Sequence, residues 1–109
     1  MKTIWKFELA AADGRQTISM PFGAEVLTAQ LQAEFKKSTE GVTIVSATPC
    51  IWALVDDDKA ADPETRTFDL VGTGHPFIDD KPRKFVGTLQ VSPRIVSHVF
   101  EVLESSAVN

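Results

Sequence analysis

One cysteine and two histidines in 109 residues leave few chemistries open. The lone Cys50 excludes an internal disulfide framework and a thiolate zinc site, each of which needs several thiols. With only His75 and His98 to add, a metal would depend on carboxylates, and no metal signature is present, so neither metal nor cofactor is expected. Long apolar runs are missing as well. The longest uncharged apolar stretches, Thr48 to Val55 and Ile95 to Val99, fall far short of the roughly 20 residues a membrane helix needs. The first residues, Met-Lys-Thr-Ile-Trp-Lys-Phe-Glu, carry a charge at nearly every second position and lack the apolar core of a secretory signal. The expectation is a cytoplasmic protein with no membrane contact. Basic surface is scarce too. Only Lys81, Arg83 and Lys84 cluster, and Asp79 and Asp80 just before them cancel most of that charge. Duplex nucleic acid, which demands a basic stripe, is not an expected partner.

What charge there is lies in one place. Five acidic residues against Lys59 in residues 56–64 account for the whole net charge of −4. That segment, with Pro63 inside it, is too polar to bury and reads as an exposed loop. The length fits one domain over residues 1–109.

Valine, isoleucine and threonine make up 27 of the 109 residues, the β-branched bias of strands. Trp5, Phe7 and Leu9 alternate with Lys6 and Glu8, and Gln16, Ile18 and Met20 alternate with Thr17 and Ser19. With the turn dipeptide Asp13-Gly14 between them, residues 2–10 and 15–20 read as a hairpin. Residues 24–37 admit two readings. Leu27, Leu31 and Phe35 recur at helical spacing, yet Leu27, Ala29, Leu31, Ala33 and Phe35 also form one face of a strand. The strand is preferred, because Ser38 to Gly41 is a polar turn and Val42 to Ala47 beyond it is β-rich, which makes one long hairpin. Cys50 to Val55 reads as a strand covered on both faces. Thr65 to Val71 places Arg66, Phe68 and Leu70 on one face. Residues 77–84 form a second polar loop, Phe85, Gly87, Leu89 and Val91 share a face of the next strand, and residues 94–103 form a last strand with Val96, His98, Phe100 and Val102 on one side. The fold class expected is all-β and mainly antiparallel, a small sandwich or partly open barrel of seven to eight strands, with a short helix within 24–37 as the local alternative. The long hairpin and the last strand are candidate edges, so at least a homodimer is expected.

The sharpest local feature is Val71-Gly72-Thr73-Gly74-His75-Pro76. Two glycines around a threonine let successive N–H groups converge on an anion, with the hydroxyl and imidazole as further donors. The competing reading is a tight turn that closes a strand, the commoner use of glycine and proline. Arg66, an arginine on an apolar strand face, needs a partner, either a neighbouring carboxylate or a phosphate. Trp5 and Trp52 suit the core, and a groove-side Trp52 would stack a nucleobase. Asp56, Asp57 and Asp58 read as a solvated loop rather than a cation site, because the offsets of a calcium loop are missing. His98 reads as a satisfied core or interface histidine, and Cys50 as a small buried thiol. No nucleophile elbow or paired-carboxylate pattern supports an enzyme.

The segments Lys-Thr-Ile-Trp-Lys-Phe at 2–7, Met-Pro-Phe-Gly-Ala at 20–24, Cys-Ile-Trp-Ala-Leu-Val-Asp at 50–56, Val-Gly-Thr-Gly-His-Pro at 71–76 and His-Val-Phe-Glu at 98–101 resemble a family of small, formally uncharacterised bacteriophage and prophage proteins. The resemblance covers most of the chain in order. Residues 31–48 lie outside it and read as an insertion, an extended hairpin or a helix. The family brings no catalytic residues to carry over. A phage setting implies a small anti-defence protein that binds and sequesters a nucleotide-derived signal, a cyclic oligonucleotide or an ADP-ribose derivative, without catalysis. Arg66, Gly72, Thr73, Gly74, His75 and Trp52 are the candidate residues for that small phosphate-bearing ligand. The alternative is a protein-interaction or virion accessory module with no small-molecule ligand.

Overall fold

A computed structural model describes residues 1–103, with Val45 described by its backbone alone. Seven strands follow in order: β1 (Lys2–Glu8), β2 (Gly14–Pro21), β3 (Glu25–Ser38), β4 (Gly41–Asp56), β5 (Pro63–Gly72), β6 (Arg83–Gln90) and β7 (Val96–Val102). A single 3₁₀ turn, Asp57–Lys59, interrupts them. All pairings are antiparallel, in a three-stranded sheet ordered β1-β4-β3 and a four-stranded sheet ordered β2-β5-β7-β6. The all-β expectation holds. Residues 25–38 are strand, so the strand reading of 24–37 is the correct one, and the turn at Ser38 to Gly41 closes the long hairpin with β4.

The two sheets share one core. Ala29, Ile51, Ala53 and Val55 of the smaller sheet meet Met20, Phe68, Leu70, Leu89 and Val99 of the larger. Period-2 alternation is the cause: each strand turns one face to the core and the other outward. On β4 the core face is Ile51, Ala53 and Val55, while Trp52 and Leu54 on the other face stay half-buried. The expectation of cover on both faces is therefore met only in part, because sheet packing supplies cover from one side.

Three further expectations need correction. Residues 2–10 and 15–20 do not form a hairpin. β1 pairs with β4 and β2 pairs with β5, in different sheets. Leu9 stays tied to β4 through its N–H to the Pro49 carbonyl at 2.9 Å, after which the chain crosses over, and the Gln16 amide clamps both the N–H and C=O of Ala10 at 2.8 and 3.0 Å. Alternation says which face a strand buries and nothing about its neighbour. In the last strand the core face is Ser97, Val99 and Glu101, opposite to the face that Val96, His98 and Phe100 share. β7 is also flanked by β5 and β6, so it is not an edge. Finally, an irregularity between Phe85 and Gly87 shifts the β6 register: Phe85 is exposed, Val86 packs on the core, and Phe85 does not share a face with Gly87 and Leu89.

The sheets come closest where β6 crosses β3. A Cβ on Gly87 would lie 2.7 Å from the Ala29 carbonyl oxygen and 3.2 Å from its nitrogen, so only glycine fits. Gly87→Ala is expected to destabilise the fold by roughly 1 to 3 kcal/mol, the range for overpacking against an unyielding neighbour. Urea unfolding at neutral pH measures it.

Candidate functional site

The outer face of the larger sheet carries a charged network that alternation alone builds. Arg15 on β2 and Asp69 on β5 are cross-strand partners. Arg15 holds the Asp69 carboxylate with both Nε (2.8 Å) and Nη2 (3.0 Å), and it reaches Asp80 with Nη1 (3.0 Å) and Nη2 (2.9 Å). Arg83 on β6 donates to Asp69 at 2.9 Å and to Asp80 at 3.1 Å, and its third nitrogen stands 3.5 Å from Asp79. Two-pronged guanidinium–carboxylate pairs of this kind fix orientation as well as energy. The Phe77 ring lies over the Arg83 guanidinium, 4.3 Å from ring centroid to carbon, and meets Phe100 edge-on. Together these contacts seat the 73–82 loop on the outer face of the sheet. The cancellation of basic charge expected from Asp79 and Asp80 takes this form at Arg83.

The network shifts its acids downward. Arg15, aided by Arg83, holds the Asp69 carboxyl below the usual carboxylate range even though burial opposes it, and Arg15 pulls Asp80 down to about 2. The same pairing raises the Arg15 guanidinium.

Beside the network, the end of β5 folds back on itself. Gly74 takes φ of +83°, a conformation glycine adopts freely, and the His75 N–H bonds the Gly72 carbonyl at 2.9 Å. The His75 ring then lies over Gly72, where a Cβ would approach Nδ1 to 2.6 Å. Its Nδ1 pairs with the Asp13 carboxylate, which also accepts the Gly72 N–H at 3.3 Å. The His75 contact, with help from Gly72, lowers the Asp13 pKa. Between this pair and the network runs a cleft of about 410 Å³, lined by Asp13, Arg15, Val71, His75, Ile78 and Asp80 among others. That volume is in the range of small-ligand sites, and the mix of apolar wall and few polar groups is their usual chemistry.

The residues singled out from sequence do not converge. Gly72 and His75 border the cleft, but the backbone nest does not form. The N–H groups of Gly72, Thr73 and His75 are taken by Asp13, the Val96 carbonyl and the Gly72 carbonyl. The Thr73 hydroxyl bonds His98 Nε2 at 2.9 Å, and Thr88 bonds the other ring nitrogen at 3.2 Å, so His98 is satisfied as expected. The turn reading is the one the fold realises. Arg66 stands six residues before Gly72, about 20 Å away along the strand. It pairs with Glu101 at 2.6 Å and caps the Ala24 carbonyl at 2.7 Å. Trp52 belongs to the other sheet, on the face turned from its core. Cys50 is fully buried, which pushes its thiol pKa up. The Met1 ammonium sits against Asp56, Asp57 and Asp58 at 3.2, 3.0 and 3.0 Å. These contacts, that with Asp57 foremost, raise its pKa to about 11.

Asp13, Arg15, Asp69 and Ile78 were not singled out by the sequence reading as site residues. Asp69, between Phe68 and Leu70 in mid-strand, reads as an ordinary outward residue of an alternating strand, and only the fold shows that it is buried.

Fold and site define an all-β, two-sheet domain with a ligand-sized cleft edged by a clasped loop. A family model for a domain of unknown function, DUF7352, matches residues 1–109, and the chain belongs to that family. No curated protein and no solved structure matches it. Among the described residues no helix is long and apolar enough to cross a membrane.

Asp69→Asn leaves the Arg83 guanidinium, 5 % exposed, short of its main partner. A loss of about 3 kcal/mol in urea unfolding is expected, the cost of breaking a buried pair. Acid should act on the same groups. A depressed folded pKa contributes stability that is complete above the unfolded value of about 3.9 and is lost as pH falls below it. The unfolding free energy should therefore drop between pH 3.9 and about 2, where Asp80 titrates in the folded state. Asp80→Asn should flatten that decline.

Proposed function

We propose that this protein is a non-catalytic binding protein whose cleft takes up and sequesters a small nucleotide-derived signalling molecule, in the manner of a cytoplasmic phage anti-defence protein. The observation that carries the reading is the cleft itself, with an apolar wall at Val71, Pro76 and Ile78 and a rim made by the Asp13–His75 and Arg15–Asp80 pairs. Its charge balance sets the mode. Arg15 is committed to two carboxylates, and the cleft offers more acceptors than donors. The base end of the ligand therefore enters, its ring N–H and amino groups donating to Asp13 and Asp80, and the phosphates stay at the mouth near the exposed His75 ring.

A second reading, a protein-interaction module with no small-molecule ligand, draws on a different observation. Phe35, Val42 and Ile44 on the long hairpin are each 60 % exposed or more, an apolar surface that a partner protein would cover.

Calorimetry against a panel of cyclic oligonucleotides and ADP-ribose derivatives tests the first reading. Binding is expected, weakened about tenfold by His75→Ala, the effect of losing one charge-assisted hydrogen bond. Trp52→Ala, outside the cleft, should leave it unchanged. If no member of the panel binds, the sequestration reading fails and the interaction module replaces it.

A further inference from the structure

We propose that two copies of this chain join through the free edge of β3, residues 32–38, in antiparallel register centred on Phe35.

The smaller sheet outgrows the larger one. β1 pairs with β4 only up to Cys50, and β6 crosses β3 at Ala29, so beyond these points β3 and β4 continue as a two-stranded arm to the turn at residues 39–40. The face of the arm that continues the core surface carries Leu31, Ala33 and Phe35 on β3, opposite Pro49, Ala47 and Ile44, and it ends at the pair Lys37 and Val42. Phe35 is 63 % exposed, and Val42 and Ile44 are 60 % exposed. An isolated two-stranded ribbon is marginal in water, and a third and fourth strand with a shared apolar face remedy that.

The edge suits a second copy in particular. β3 is the outer strand of its sheet, and the register shift within the arm leaves the extra residue on β4, so β3 stays regular over 32–38. No proline or glycine interrupts that stretch. Counting the ladder back from the two-residue turn, Ala33, Phe35 and Lys37 turn their N–H and C=O groups to the open side. The free edge has Phe35 at its middle, and the sequence around it is self-complementary. In a twofold pairing about Phe35, each Glu34 faces Lys36 of the other copy, the two Phe35 rings meet, and Gln32 faces Ser38. Opposite charges and aromatic pairs directly across a ladder are the favoured combinations. The same operation places Phe35, Ile44 and Val42 of both copies on one continuous four-stranded face. The surface is isologous, as a closed dimer requires. The inference is independent of the cleft and its ligand.

Light scattering on the full chain at micromolar concentration is expected to give twice the 11.9 kDa of one chain. Lys36→Glu sets carboxylates against each other across the axis and should raise the dimer dissociation constant at least tenfold. The double exchange Glu34→Lys with Lys36→Glu restores the pairing and should restore the dimer. In Phe35→Cys the two thiols lie across the axis at a spacing a disulfide can span, so mild oxidation should give a covalent dimer, while Lys37→Cys, offset from the axis, should not. These positions are on the exposed arm, and circular dichroism checks that each variant keeps its strands. A monomer at all concentrations overturns the proposal. So does a dimer indifferent to Lys36→Glu, a double exchange that fails to rescue, or an equal cross-linking yield at positions 35 and 37.

Discussion

Asp69 accepts hydrogen bonds from Arg15 and Arg83 at once, and with Asp69 and Arg83 both buried neither of these two charges is tolerable there without a partner. Arg15 comes from the first strand of the larger sheet, and Arg83 reaches over β7 from the last. Through Asp80 and the Phe77 ring the same guanidiniums hold the 73–82 loop against the sheet. The loop in turn forms one wall of the cleft and brings His75 to Asp13. The cleft's shape thus rests on this ionic junction together with the packing of Phe77 on Phe100. Such junctions add little net stability but permit few alternative arrangements, which is the property a binding site needs.

A second constraint is the mismatch in strand length. β4 runs for 16 residues and β7 for 7, so the larger sheet cannot cover the smaller one along its whole face. The molecule is accordingly 60 Å long and 16 Å thick. The core-facing pattern of β3 and β4 persists past the end of the core, leaving an apolar face and an unpaired edge side by side. Cleft and arm are built from different sheets, so a substitution on the arm leaves the cleft lining in place.

Legibility of the site followed the range of the interactions. Gly72 to His75 announced a turn, and a turn it is, because glycine conformations and short backbone bonds are local. The need of Arg66 for a partner was equally plain. That the partner is Glu101, from a strand 35 residues away, is a matter of pairing order, and it holds Arg66 at the end of β5 remote from Gly72. The Asp13–His75 contact, spanning 62 residues, had no sequence signal beyond the presence of both residue types.

By itself the sequence determined the all-β class, the strands and most of their buried faces, the turn at residues 38–41 and the acidic loop, because period-2 alternation and turn chemistry act between residues a few places apart. Only the tertiary structure decided that β1 and β2 lie in different sheets, that β7 is central with Val99 rather than Phe100 inward, and that Arg15, Asp69, Asp80 and Arg83 form one junction. An alternating strand offers the same pattern to any neighbour, and a charged residue takes whichever counter-charge the register delivers. Both choices are made by the assembled sheets, where burying all the apolar faces in one core fixes the order of the strands and, with it, which charges meet.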